Sequence, residues 1–548
     1  MCFSQHSNNH LCYTDTCVQQ QPPAMLMYQI LSAFCSVMHV PIICSGTDDL
    51  GFELLFTSNL NEMHDVALTF DHPAPPWIRG TLVRNGLGSF SNGPRNFSHS
   101  FDAFAKLASW RFPGNNSVFF STKFLRTHFY KDSMKEKTIA PYLLFQGVEP
   151  EFSQVEKFQA LVRGIDNMNV NIYAFTDNKR NLTEYVALSD FWKYYVFYPR
   201  DLSTGGAVSA RVSTSSSGFG LLGFLNLLSS AHPLPEPGTG HHITFLSSVS
   251  VLPWTSSAIS LIRIVSPTKR VTIARWNVDR VPYMHSFSVT ENYAILFASP
   301  FYVNVKKMVL KAEPFDCLDW YPNRPTTVYV VELKTGKVTS LTTGNVFAMH
   351  HINAFETSDT GIILDVSAYT SPDFVKNLEM KVLTDPIKRN QFDSLAQIKR
   401  YHISLATKKV RVETFKGPAY APYTPNIDMP AINENYRARP YCYAYGIVLK
   451  KDNVTLSKIA LVKKDLCKQN GDKVWYVPYH YPSEAWFVPN PRGKAEDDGV
   501  LMLPILDGVR RTTYLAVLDA RTMELTNRAD LPTVIPFSLH GRFFPEIY

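Results

Sequence analysis

The sequence predicts an all-β fold arranged as a propeller, and three observations point there. Short alternating runs recur in pairs from about Asp49 onward. Aromatic residues make up 13%, with 36 Phe and 27 Tyr, a composition that suits half-buried strand faces. Helical signals are few and short. Hairpin after hairpin without helices between them is the pattern of small antiparallel sheets repeated around an axis.

Taken in order, residues 1 to about 23 are polar and rich in Gln and Asn, too poor in apolar surface to pack. Ala24 to Ser45 has no charged residue and approaches the length that spans a bilayer. Gln29, His39 and Pro41 interrupt it. It reads either as a membrane-associating extension or as a signal peptide without the usual basic lead. The expected division is an extension over residues 1–45 and a single domain over residues 46–548, since large β folds often run long as one unit. Of the 8 cysteines, Cys2, Cys12, Cys17, Cys35 and Cys44 crowd the extension. Cys317, Cys442 and Cys467 stand apart and predict no disulfide framework for the main domain.

Within the domain, Ser153 to Val162 is a candidate short helix. Thr214 to Leu228 is a flexible lead into an apolar run, either a buried inner strand or a membrane-facing or tunnel-lining patch. Thr326 to Leu341 is two alternating runs joined at Lys334-Thr-Gly-Lys337. Ser371 to Val382 starts with a Ser N-cap and a Pro in the first position, which predicts a helix. Tyr401 to Glu413, Lys458 to Lys463 with Lys473 to Val477, and Tyr514 to Leu525 repeat the hairpin form. Alternation on both sides of a short polar turn is what a hairpin requires. Both helical stretches read as insertions that cap one face of the propeller.

The charge balance excludes some classes. A net charge of +7 is small for 548 residues, and the basic residues are interspersed with acidic ones, so no nucleic-acid-binding stripe is present. No Gly-rich phosphate loop, CxxC pair or GxSxG elbow offers a chemistry, and Gly218-Phe-Gly220 lacks the spacing.

Four histidines sit among apolar or small residues, in Ser230-Ala-His232-Pro, Tyr283-Met-His285-Ser-Phe, Phe347-Ala-Met-His350-His351-Ile-Asn353 and Ile535-Pro-Phe-Ser-Leu-His540-Gly-Arg-Phe-Phe544. A lone histidine in such a setting is more often a satisfied core residue than a ligand. No compact metal motif joins these four, and imidazole suits iron, zinc, copper and nickel alike.

Their surroundings carry more. Arg79-Gly-Thr-Leu-Val-Arg-Asn85-Gly, Phe101-Asp102, Ala231-His232-Pro, His285-Ser-Phe, His350-His-Ile-Asn353, Tyr481-Pro-Ser-Glu484, Glu496-Asp-Asp-Gly499 and His540-Gly541 occur in one order from about Leu50 to the C-terminus. In these motifs the chain resembles the carotenoid cleavage oxygenase family, which includes carotene dioxygenases and a retinoid isomerase. The resemblance implies a seven-bladed β-propeller with a cap of loops and short helices over its iron-containing face. It implies one Fe(2+) per chain, held by His232, His285, His350 and His540, with His351 as the competing choice at the double histidine. Carboxylates are expected to accept the outer N–H of three of these histidines, which fixes tautomer and ring plane. Glu484 matches that pattern. Asp190 and Asp428 stand where the family has glutamate, and being one methylene shorter they require either a closer backbone or a bridging water.

The function implied is cleavage of a double bond of a carotenoid or apocarotenoid by O2, giving aldehydes such as retinal. The alternatives are a retinoid isomerase, a combined isomerase-oxygenase, and a non-catalytic carotenoid-binding propeller. Ser189 and Leu539 adjoin site residues and are candidate substrate contacts. The family's Pro-Asp-Pro-Cys element is absent between Lys131 and Ser153. A substrate this insoluble must be collected from a membrane or lipid surface, with Ala24–Ser45 and Phe219–Leu228 as the candidate contacts. The expected location is the cytoplasm with peripheral membrane association, the alternative being the secretory pathway if the apolar segment is a signal peptide.

Overall fold

The structure is a computed structural model that describes residues 50–114, 116–177, 180–208, 211–213, 228–250, 256–304, 306–307, 314–357, 360–391, 395–415, 426–449 and 457–547. The readings for Ala24–Ser45 and for most of Thr214–Leu228 lie outside the described residues.

Seven sheets follow one another along the chain. The first runs from Met63–Leu68 to Val118–Phe124 and takes in Ser538–Phe544 from the C-terminus; the last covers His480–Pro482 to Leu525–Asp530. Among the described residues all pairings are antiparallel except that of Arg211–Ser213 with Lys269–Val278 at the edge of the third sheet. The hairpins read from sequence are present. Thr326–Glu332 pairs with Val338–Thr343, Gln397–Ser404 with Lys409–Thr414, Ile459–Asp465 with Lys473–Trp475, and Thr512–Asp519 with Leu525–Asp530. Gly336 makes the first of these turns at φ 73°, a left-handed conformation that glycine adopts without penalty.

Each sheet buries one face against the next. Val83, Leu107, Ile172 and Phe197 seal the seam between the first and second. Tyr173, Phe175 and Ile264 seal the second against the third. Phe245, Leu261 and Leu296 lie between the third and fourth, and Phe297, Val328, Leu364 and Tyr401 between the fourth and fifth. Ile352, Ile398, Ile427 and Val462 join the fifth to the sixth, and Tyr445, Leu461, Phe487 and Leu503 the sixth to the seventh. Trp110, Phe120, Met502 and Leu515 join the seventh back to the first. The ring therefore closes with seven blades. Pairing of Ser538–Phe544 with Gly80–Ser89 ties both ends of the chain into one blade, which is why the apolar C-terminus is buried rather than frayed.

A cap covers one face. It holds short strand pairs such as Phe301–Val303 with Leu318–Trp320, and the helices His128–Glu136 and Gln154–Arg163. The second matches the helix expected over Ser153 to Val162. Ser153 and Glu156 form its reciprocal capping box. Ser371 to Val382 is not one helix but a 3-10 turn, Pro372–Leu378, followed by a short helix, Met380–Leu383. The break falls at Glu379, extended at ψ 140°, where its carboxylate takes the Gln146 amide at 2.8 Å. No helix among the described residues is long and apolar enough to cross a membrane.

A second sequence expectation is corrected. Cys442 and Cys467 are not isolated but form a disulfide. Twenty-five residues of sequence separation hide their proximity. They flank a hairpin in which Tyr443 pairs with Asp465, so both cysteines fall at the same end of the sheet.

Candidate metal centre

The terminal strand of each sheet faces the axis, and the functional side chains come from these strands or the turns beside them. His540 lies on Ser538–Phe544, and His350 on Phe347–Glu356. His232 follows Leu228–Ser229, and His285 precedes Ser288–Val289. Local sequence explains each placement. A side chain at Gly541 would put its Cβ 2.4 Å from the Val83 carbonyl oxygen and from Arg84, so His540 must be followed by glycine. Strand alternation separates the double histidine. His350 points to the axis, whereas His351 turns to Ser288 Oγ at 2.9 Å and the edge of Phe297.

The structure brings His232, His285, His350 and His540 together, one ring nitrogen of each lying within 4.8 Å of the others. His351 is not in the group. His232 Nε2 and His285 Nε2 are 3.0 Å apart. His350 Nε2 is buried without a hydrogen-bond partner, an unusual expense for a polar atom that a metal ion at this point would remove. Burial holds His232 well below its ordinary pKa, helped by His540, His285 and His350. Burial likewise lowers His540, partly offset by Glu484. At His350 burial is outweighed by Asp428, which raises its pKa. A metal ion takes the neutral imidazole, the form that burial favours at His232 and His540, and the four converging nitrogens fit such an ion.

Three carboxylates stand behind the ring. Asp190 Oδ2 lies 2.7 Å from His285 Nδ1, Asp428 Oδ1 2.6 Å from His350 Nδ1, and Glu484 Oε1 2.7 Å from His540 Nδ1. Both aspartates therefore reach their histidines directly, without a bridging water. The backbone supplies the missing methylene. The Asp190 loop is stitched to the His232 segment by Ser229 N–H donating to Asp190 O at 2.8 Å and Ala231 N–H to Asp190 Oδ1 at 3.1 Å. At Asp428 the strand bulges, with Met429 at φ 48°, and a bulge is a device that re-aims a side chain. His232 has no carboxylate; its Nδ1 lies 3.4 Å from the Asn171 amide nitrogen.

Sequence reasoning missed the next partners. Tyr283 OH donates to Asp190 Oδ2 at 2.8 Å and Tyr369 OH to Asp428 Oδ2 at 2.5 Å. Burial first, then these carboxylates, raise both phenols well above their usual pKa, so they remain donors. Arg84 donates to Glu484 Oε2 at 3.0 Å and to the Leu539 carbonyl at 2.6 Å. Burial pushes Glu484 up, but His540 and Arg84 more than offset it. Signals existed: Tyr283 is two residues before His285, hence on the same side of an extended chain, and Arg84 is a charge inside an apolar strand. Tyr369 is visible only through its pairing opposite Phe347.

A cavity of about 280 Å³ reaches this centre. Its wall is overwhelmingly apolar and includes Phe101, Leu143, Phe145, Phe374 and Ile447, with His285, His350 and His540 at one side. Ser189 and Leu539 both line it. Loss of an outer carboxylate typically costs 10–100-fold in metal affinity or activity. Asp190→Ala and Asp428→Ala are therefore each expected to lower metal affinity at least about tenfold, measured by competition with a chelator. Unchanged affinity in both would remove these aspartates from a ligand-orienting role.

A seven-bladed propeller with four histidines on its axis, three of them backed by carboxylates, defines a class of protein able to hold one metal ion beside an apolar cavity. Within that class the assignment is direct: the chain belongs to the family described as retinal pigment epithelial membrane protein (RPE65), whose model matches residues 56–545. It is 24% identical over 536 residues to a chicken (Gallus gallus) protein named beta,beta-carotene 15,15'-dioxygenase, covering 90% of this chain and 98% of that one. It is 26% identical over 482 residues to apocarotenoid-15,15'-oxygenase of Synechocystis, covering 85% and 90%. Carotenoid isomerooxygenase of Galleria mellonella is 28% identical over 506 residues, covering 86% and 92%. Among solved structures, cobalt-substituted Synechocystis ACO superposes with a TM-score of 0.74 at 24% identity over 90% of this chain and 98% of that one, which establishes the shared fold.

Proposed function

We propose that this chain is an iron(II)-dependent dioxygenase that cleaves a double bond of a carotenoid or apocarotenoid with O2, giving aldehydes such as retinal. The observation that carries this reading is the junction of four converging histidines with an apolar cavity. Bound iron would supply the redox-active centre at which dioxygen is activated, a role zinc lacks. The chain's own residues do the rest. His232, His285, His350 and His540 would hold the ion, and Asp190, Asp428 and Glu484 fix three imidazole planes. The apolar wall binds a polyene and excludes water, which keeps the reaction from being diverted by solvent. Both atoms of O2 enter the two carbonyl products, so no external reductant is needed.

The test is incubation of purified, iron-loaded protein with β-carotene, an apocarotenal and a retinyl ester, resolving products by chromatography. Aldehyde fragments labelled from ¹⁸O2 are the expected result. A cis-retinol from the ester would replace this reading with an isomerase, and binding without product would replace it with a carrier.

Lipid contact is proposed through helix Gln154–Arg163. Val155, Phe158 and Val162 are 68%, 67% and 72% exposed and share one helix face. On the other face Ala160 and Leu161 pack with Leu143 and Ile165, which themselves wall the cavity. Three side chains expose on the order of 400 Å² at most, short of the roughly 800 Å² per partner that a stable protein interface buries, whereas shallow insertion into a lipid surface needs no more. Replacing all three by serine is expected to lower the binding constant for phosphatidylcholine–phosphatidylserine vesicles, read by co-sedimentation, by about 100-fold, since each buried apolar side chain contributes on the order of 1 kcal/mol or more. Equal sedimentation would sink the assignment.

For the compartment, the Cys442–Cys467 disulfide favours the secretory alternative, because such bonds persist in oxidising surroundings. Asn96 and Asn181 are exposed, and each begins an N-x-S/T tripeptide. A glycan on either in the natively expressed protein is the expected sign, and two alkylatable thiols at 442 and 467 would return the protein to the cytosol.

A further inference from the structure

We infer that Met429 is a modification site: an organic hydroperoxide entering the metal cavity oxidises its thioether to the sulfoxide, and the sulfoxide weakens polyene binding. The inference rests on the reading of the cavity as a polyene site. It adds a residue and a class of co-reactant through which oxidation switches the protein off.

The methionines around the centre differ in reach. Met168 is fully buried, and its sulfur accepts the Ser189 hydroxyl at 3.5 Å. Met284 is buried in the seam between the third and fourth sheets. Met349 lines the cavity but is 4% exposed and packed among Tyr283, Phe347, Tyr369 and Phe374. Met429 also lines the cavity, yet it is only half-buried and packs into none of the apolar clusters among the described residues. Its soft, polarisable sulfur is therefore the thioether that an oxygen donor in that space meets.

The backbone shows that this side chain is kept for a reason. Met429 sits at φ 48°, a left-handed conformation that glycine adopts freely and that costs a residue with a Cβ. Its N–H donates to Asp428 Oδ1 at 2.8 Å, the same oxygen that lies 2.6 Å from His350 Nδ1. The turn that aims Asp428 at His350 thus fixes where the thioether enters the cavity. Backbone demand alone would select glycine. A long apolar side chain held there points to contact with what the cavity holds.

A hydroperoxide of a polyene or fatty acid carries an apolar chain like that of the substrate, so a wall that admits one admits the other. The sulfur lone pair attacks the outer oxygen of ROOH, the O–O bond breaks, and the hydroperoxide proton passes to the departing oxygen. The products are ROH and the sulfoxide; sulfur has lost two electrons and the peroxide has gained them. The sulfoxide is polar and chiral where the thioether was apolar. A polyene binding over it would bury that oxygen against hydrocarbon, which is unfavourable.

The test treats purified, metal-loaded protein with cumene hydroperoxide and, separately, with hydrogen peroxide, and locates the added oxygen by peptide mass mapping. Met134, 38% exposed on the helix His128–Glu136, is the internal standard for reaction from bulk solvent. Relative to Met134, Met429 is expected to react at least about tenfold faster with cumene hydroperoxide than with hydrogen peroxide. Dissociation constants for β-carotene and an apocarotenal, read anaerobically from the visible absorbance of the bound polyene, should rise about tenfold in the treated protein. Treated Met429→Leu should match its own untreated form. Oxygen found on the four histidines or on Met349 in place of Met429 would overturn the inference. So would an oxidised Met429 that leaves both dissociation constants unchanged, or a loss of affinity in treated Met429→Leu as large as in wild type. If the untreated protein bound neither polyene, the polyene reading would fall, and the position and relative rate of oxidation would still decide whether Met429 is the modified residue.

Discussion

Alanine at any one of His232, His285, His350 or His540 is expected to take metal content from about one ion per chain to near zero and oxygen consumption with it. The expectation rests on how tightly the four side chains are arranged. Each is supplied by a different blade, and three of the four are themselves held by a carboxylate at 2.6–2.7 Å. Removing one imidazole cannot be compensated by a neighbour, because His351 is turned away toward Ser288 and no other histidine joins the group among the described residues. The fold should survive, since the seven inter-blade seams are apolar and do not pass through the centre. Metal analysis with far-ultraviolet circular dichroism separates the two outcomes. Stoichiometric metal in one variant would take that histidine out of the ligand set. His351→Ala is the control that should keep its metal.

Much of this was legible in the sequence, for identifiable reasons. A hairpin announces itself locally, because alternation and turn chemistry act over a dozen residues, as at Thr326 to Leu341. The blade number does not, since the sheets share an architecture without sharing a sequence. The four histidines were visible because each keeps its own short motif, and the three carboxylates because motif order survives. What stayed hidden depends on closure. Arg84 meets Glu484 across 400 positions, Tyr369 meets Asp428 only when two blades pack, and Cys442 meets Cys467 only once the hairpin register is known. Aspartate at 190 and 428, where the resemblance implies glutamate, looked like a gap in reach. The bulge at Met429 and the stitching of the Asp190 loop to Ser229 and Ala231 fill it, and neither can be seen in side-chain identity.

Arg84→Met is expected to cost about 3–5 kcal/mol of stability, the usual result of leaving a buried charge without its partner. Arg84 is fully buried, and its guanidinium joins Glu484 Oε2, Ser538 Oγ and the Leu539 carbonyl. These contacts clamp the strand that bears His540 onto the first blade, so one side chain serves both ring closure and the metal centre. The single variant leaves Glu484 ionised in a site from which its counter-charge has gone. Denaturant unfolding should register the loss. The double variant Arg84→Met/Glu484→Met distinguishes the two roles. Replacing both members of a buried ion pair by apolar residues is often near neutral for stability, so much of the loss should return. Function should not, because His540 Nδ1 would then face a thioether in place of a carboxylate, and metal affinity should stay roughly 10–100-fold down. A double variant that recovered full metal affinity would show that Glu484 balances Arg84 and nothing more, leaving His540 oriented by the strand alone.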